Sequence, residues 1–195
     1  MEELSTEQKI IAAARSVFTK KGFAGARTRD IAEEAGINLA LLNYYFGSKE
    51  NLFKIVIKEK FEQLFGMISP ILSDESVPLG TKIKTLVDNY TKLLKENEEL
   101  PIFILNELSV NGHIFDELLQ YARQISQPVL EKQLKNNGMT LSVPNFIMNI
   151  ISLTIFPFTA KPLFVSAGLI TIENYTDFLN ERRDNIPDWI MKLSK

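Results

Sequence analysis

The chain of 195 residues has no cysteine, a single histidine and a single tryptophan. The first absence excludes a disulfide framework and thiolate metal sites, and it fits a reducing cytosol. With one histidine, no Glu-x-x-His pair and no glycine-rich phosphate loop, the usual constellations for metal, nucleophilic and nucleotide chemistry are missing. The expectation is a protein that is not an enzyme and has no metal or other cofactor. The most apolar region, 146–172, is interrupted by Pro157, Lys161 and Pro162, so it makes a poor membrane span and reads as a buried or interfacial helix. The opening MEELSTEQ is acidic and polar, unlike a signal peptide, and the expected location is the cytoplasm with no membrane partner. No segment alternates at period two between strand-type turns, and no repeat is visible, which leaves an all-α class.

Hydrophobic residues make up 45% of the chain, enough to fill a core, and the formal net charge is −2. That charge is unevenly placed. Between Lys9 and Lys60 there are ten Lys or Arg against five Asp or Glu, whereas residues 61–195 carry twelve bases and sixteen acids. An N-terminal module that meets phosphate would produce this asymmetry, as would an ordinary solvated helix surface.

The most informative stretch is Thr28 to Lys49, TRDIAEEAGINLALLNYYFGSK. Thr28 can cap a helix start, Asp30 suits the first turn, and Ile31, Ala32 and Ala35 form an inward side small enough for a second helix to cross closely. Gly36 supplies the left-handed corner, Asn38 recaps, and Leu39 to Tyr45 forms a second helix broken by Gly47 and Ser48. Two short helices joined this way describe a helix-turn-helix. With Leu42 and Phe46 as inward anchors, Ala40 and Tyr44 fall on the far side with Leu41 and Asn43 beside them. That face has no acid. It offers an amide, phenol hydroxyls and small apolar groups, the types that pair with an adenine edge or touch a thymine methyl in the major groove. Lys49, beside free N–H groups at the start of the next helix, suits a phosphate.

From Gln8 to about Phe61 the chain resembles the TetR family of bacterial transcriptional regulators. The resemblance is carried by Ala14, Phe18, Gly22, Phe23, Thr28, Ile31, Ala32, Ala35, Gly36, Ile37, Leu42, Tyr44, Phe46, Gly47, Ser48, Lys49 and Leu52, without a gap. Where one common form of the family reads Asn-Tyr-His-Phe, this chain has Tyr45 in place of His. The resemblance implies a DNA-binding domain over 1–48, with Arg27, Thr28, Arg29, Asn38, Leu39, Ala40, Leu41, Asn43, Tyr44, Tyr45 and Lys49 at a double-stranded operator. It further implies a ligand-binding and dimerisation domain over 49–195, a homodimer joined through the last two long helices, and a small-molecule effector. The leading expectation is a repressor released from a palindromic operator. The alternative is a protein-binding adaptor of the same fold without DNA binding.

Around this unit the pattern is helical. Ser5 and Gln8 form a capping box ahead of Ile10, Ile11, Ala14, Val17 and Phe18, in a helix ending at Gly22. Ser48 caps a helix that continues through Phe65. A loop is expected from Ser69 to Gly80, then helices over Leu79–Asn97, Ile102–Val110, His113 to about Asn136 and Asn174–Leu193. Polar groups set in the apolar helices, Asn106, Glu107, His113 and Gln124, with Phe103, Phe115, Tyr121, Phe156 and Phe158 as walls, are the candidate ligand residues.

Overall fold

A computed structural model of the chain describes residues 4–110 and 127–193. Eleven helices and no strand occur among the described residues. They are α1 (Thr6–Gly25), α2 (Thr28–Glu34), α3 (Leu39–Phe46), α4 (Lys49–Phe65), α5 (Ile68–Ser73), α6 (Leu79–Glu96), α7 (Leu100–Val110), α8 (Gln127–Asn136), α9 (Val143–Thr159), α10 (Lys161–Ser166) and α11 (Tyr175–Leu193). His113, Phe115, Tyr121 and Gln124 lie outside the described residues, as does the expected helix start at His113.

Two compact units divide the described chain, residues 4–62 with 102–110 and residues 63–101 with 127–193. The boundary expected after Ser48 therefore differs from the one that packing defines. Most of α4 joins the first unit because Leu52, Phe53, Val56 and Ile57 are fully buried. Most of α7 joins it too, through Phe103, whose ring meets that of Phe53 edge-on at 6.5 Å.

In the first unit α1 begins as its sequence dictates. Ser5 Oγ accepts from the Gln8 N–H while Gln8 Oε1 accepts from the Ser5 N–H, closing a capping box. Ile10, Ala13, Ala14, Val17 and Phe18 are buried on one stripe, where each large side chain contributes about 1.5–3 kcal/mol by leaving water. The regular helix stops at Gly22, which takes φ 67°, and one further turn runs on from it to Gly25. α1 packs on α2, and α2 packs on α3.

The second unit is built around α6. Its strongly amphipathic sequence buries Leu79, Ile83, Leu86, Val87, Tyr90 and Leu94 against α5, α9 and α11. The Tyr90 hydroxyl donates to the Leu64 carbonyl, and burial pushes that phenol upward from its ordinary range. Lys82 is also fully buried, its Nζ donating to the Leu72 carbonyl at 2.7 Å at the end of α5, and desolvation lowers its pKa. The loop expected over Ser69–Gly80 is in part a helix, α5. Pro70 misled because it stands in the first turn, where its missing N–H leaves no helical bond unmade.

Proline inside α9 has a compensating partner. Pro157 cannot donate to the carbonyl of Leu153 one turn back, and Arg182 of α11 donates to that carbonyl instead at 2.9 Å. No helix among the described residues is long and apolar enough to cross a membrane.

Candidate nucleic-acid interface

The helix pair forms by local chemistry. α2 opens at Arg27, whose N–H donates to Asp30 Oδ2 at 3.2 Å; Thr28, expected as the cap, is instead the first helical residue. The Asp30 carboxylate, three residues on, reaches back to the N–H of the cap residue itself, the carboxylate half of a capping box. Asp30 also accepts from Lys21 Nζ at 2.7 Å, and that bond leads the causes holding its carboxyl below the usual range. At the far end Gly36 takes φ 67°, and the Ile37 N–H returns to the Ala32 carbonyl at 3.0 Å, which stops α2 sharply. Asn38 then caps α3 through Oδ1, accepting from the Leu41 N–H at 2.8 Å. Gly47, at φ 71°, ends the helix, and Ser48 Oγ accepts from the Asn51 N–H to open α4.

The faces of α3 separate cleanly. Leu42 is 0% exposed and Phe46 8%, whereas Tyr44 is 83% exposed and Tyr45 44%. Ala40, Asn43 and Asn38 are exposed, and Leu39 and Leu41 are half-buried at the flanks. The Tyr44 and Tyr45 rings meet edge-on at 5.5 Å, so the second tyrosine stands beside the first at the surface. Arg27 and Arg29 are exposed near the start of α2, and Thr28 is half-buried between them. The result is an uncharged face of amide, phenol and methyl groups with two guanidinium groups on the adjoining helix. Such a surface can donate to base edges and hold backbone phosphates.

Lys49 corrects an expectation. It is not a free cation at a helix start: its Nζ donates to the carbonyls of Phe23 at 3.0 Å and Ala26 at 3.2 Å, and lies 4.3 Å from the centroid of the Phe23 ring. Two carbonyls at the end of the turn that follows Gly22 are left open by the chain, and a lysine is the side chain long enough to reach both.

Of the candidate ligand residues that are described, three fall in the first unit and two in the second. Phe103 belongs to the first unit's aromatic core and Asn106 is exposed on the same helix. Glu107 is buried, and its Oε1 accepts from the Phe23 N–H at 2.9 Å. In the second unit Phe158 is buried, edge-on to Tyr175 at 6.4 Å, while Phe156 is 56% exposed rather than a wall. Adjacent aromatics on one helix face different ways, and burial falls on the one that meets α11's Tyr175. Phe23 and Glu107 as a bonded pair were missed; their one sequence signal is Gly22, a glycine set within a helical pattern.

The family described as "Bacterial regulatory proteins, tetR family" matches residues 10–56, which run from the core of α1 through the helix pair into α4. Over nearly the full length, the chain is 27% identical to the probable HTH-type transcriptional regulator YttP of Bacillus subtilis, covering 98% of this chain and 95% of that one. Residues 10–56 are thus the N-terminal module of the TetR family of bacterial transcription regulators, and over its whole length the chain is similar to such regulators. A second TetR-family relative, the HTH-type transcriptional repressor NicS of Pseudomonas putida, is 34% identical over 90 residues, 45% of this chain and 42% of its own length. Among solved TetR-like structures, the regulator FadR of Bacillus subtilis in complex with stearoyl-CoA superposes with a TM-score of 0.62. It is 18% identical and the match covers 92% of this chain and 97% of that one, a likeness of fold. The all-α architecture with an N-terminal helix-turn-helix is thus that of the family.

Proposed function

We propose that this TetR-family regulator is a homodimeric repressor that occupies a palindromic operator through α3 and leaves it when a small molecule binds the second unit. The observation that carries the reading is the division of α3. Leu42 and Phe46 fix the helix from inside, and Ala40, Asn43 and Tyr44 stand free outside with no acid among them. In the major groove, Asn43 pairs with an adenine edge, Ala40 and Leu41 meet thymine methyls, and Tyr44 and Tyr45 reach the groove wall. Arg27 and Arg29, with the Asn38 to Leu41 helix start, hold phosphates.

One such helix reads few bases, so two copies about 34 Å or a multiple of the helical turn apart are needed to read a palindrome. An uncovered face of α9 supports the dimer: Met148 is 62% and Phe156 56% exposed, with exposed Ser152 midway on the same stripe. For the effector, support is the likeness in fold to FadR of Bacillus subtilis, a regulator in complex with stearoyl-CoA. Binding in the second unit favours a conformation whose two heads no longer match the operator.

The test is to let the purified protein select duplexes from a randomised pool and to titrate the selected duplex at several salt concentrations. A palindromic consensus and an affinity that falls steeply with salt are expected. Failure to enrich any sequence at low salt would overturn the reading.

A further inference from the structure

We propose that Glu107 is a positioning residue for DNA reading, its carboxylate on α7 fixing the turn that passes the chain from α1 to α2. The proposal rests on α3 being the DNA probe. Gly22 leaves helical geometry with φ 67°, so the Phe23 N–H has lost its acceptor one turn back. Glu107 Oε1, 84 residues away in the chain, takes that proton at 2.9 Å. A carboxylate that is only 6% exposed on a strongly apolar helix is costly to hold unless its oxygens are bonded. Glycine at 22 suits this arrangement on two counts. Its φ favours glycine, and a Cβ there would stand 3.2 Å from the same Glu107 oxygen.

The opposite end of this turn is held by the opposite charge. Lys49 Nζ donates to the carbonyls of Phe23 and Ala26. A carboxylate at the N–H end and an ammonium at the C=O end match the dipole of the turn. The Phe23 ring is pinned between those of Phe18 and Phe53, at 6.4 and 4.8 Å. The turn leads directly into Arg27, the cap of α2, and α2 leads through Gly36 into α3. With the Phe23 N–H released, the turn samples other arrangements. Only the fraction with α3 correctly presented binds, and the apparent Kd rises by the inverse of that fraction.

Reach and charge separate this role from simple burial. Glu107→Asp keeps the charge but withdraws the oxygen from Phe23, whereas Glu107→Gln loses the charge and keeps an acceptor in place. Full-length wild type, E107Q, E107D and E107L are titrated by fluorescence anisotropy against the duplex that wild type selects, well below their melting temperatures. Exchange of the Phe23 amide proton is followed by NMR. E107Q, which keeps the bond without its charge, should bind a fewfold more weakly than wild type, while E107D and E107L weaken on the order of tenfold or more, what a lost hydrogen bond to a charged group is worth. The Phe23 amide should exchange faster in the Asp and Leu variants alone.

Undiminished binding by E107D would overturn the proposal. So would weakened binding with unchanged Phe23 exchange, or a Gln variant as weak as Leu. If E107L does not fold, the Asp and Gln pair decides. If wild type selects no duplex, the DNA-reading role fails, and the exchange comparison still decides whether the carboxylate holds the turn.

Discussion

Two of the helix faces exposed among the described residues, those of α3 and α9, are chemically opposite. The outer side of α3 presents Ala40, Asn43 and Tyr44, with Arg27 and Arg29 exposed on the adjoining helix. The outer side of α9 presents Met148, Ser152 and Phe156. Exposure is common to both, so exposure alone does not name a partner. What differs is hydrogen-bonding capacity. Amides and guanidinium groups suit a hydrated polyanion, whereas a thioether and a phenyl ring gain by leaving water. The same contrast holds inside each unit. Turns around α2 and α3 are closed by side-chain bonds from Asp30, Asn38, Ser48, Lys49 and Glu107, while α6 organises the second unit mainly through aliphatic burial, with buried bonds from Lys82 and Tyr90. A reading head needs a fixed geometry, and directional bonds supply it.

The comparison can be broken from its apolar side first. Phe156→Glu places a charge in the surface proposed to meet a second copy. It should produce monomers in sedimentation velocity and weaken operator binding by about 10²–10⁴-fold, the gain that linking two heads provides. Retention of a dimer would detach the α9 face from assembly. Next in size, replacing Arg27 and Arg29 together by Ala should weaken binding to every duplex, about tenfold in total. It should lower the slope of log affinity against log salt by roughly one unit for each phosphate no longer neutralised. An unchanged slope would remove both arginines from the phosphate path.

Lys49→Met sharpens the contrast by doing the reverse. Because Nζ is bonded to the Phe23 and Ala26 carbonyls, its loss should cost about 1–3 kcal/mol of stability in chemical denaturation and leave the salt slope as it was. A slope that falls with stability intact would return Lys49 to the phosphates.

What the sequence made legible was local. Ser5 with Gln8, the Gly36 corner, the Asn38 cap and the Gly47-Ser48 break each act within three or four residues, so α1, α3 and the start of α4 are readable from spacing alone. The inward and outward sides of α3 follow from Leu42 and Phe46 in the same way. Where the deciding partner is distant in the chain, the sequence is silent. Lys49 bonds residues 26 and 23 positions back, and Glu107 bonds one 84 positions back. Asn106 and Glu107 are neighbours, one exposed and one buried, and only packing of α7 in the first unit separates them. Thr28 falls one position inside the helix because the cap lies at Arg27, whose N–H the Asp30 carboxylate takes. α5 was hidden because a proline two residues into a helix looks the same in sequence as a proline in a loop.

The most direct measurement is the affinity of Asn43→Ala for the selected duplex compared with a scrambled duplex of the same length and composition. If α3 reads bases, the variant loses about 1–3 kcal/mol on the selected sequence and almost nothing on the scrambled one. An equal loss on both, or none on either, would contradict the assignment of the α3 face to base recognition.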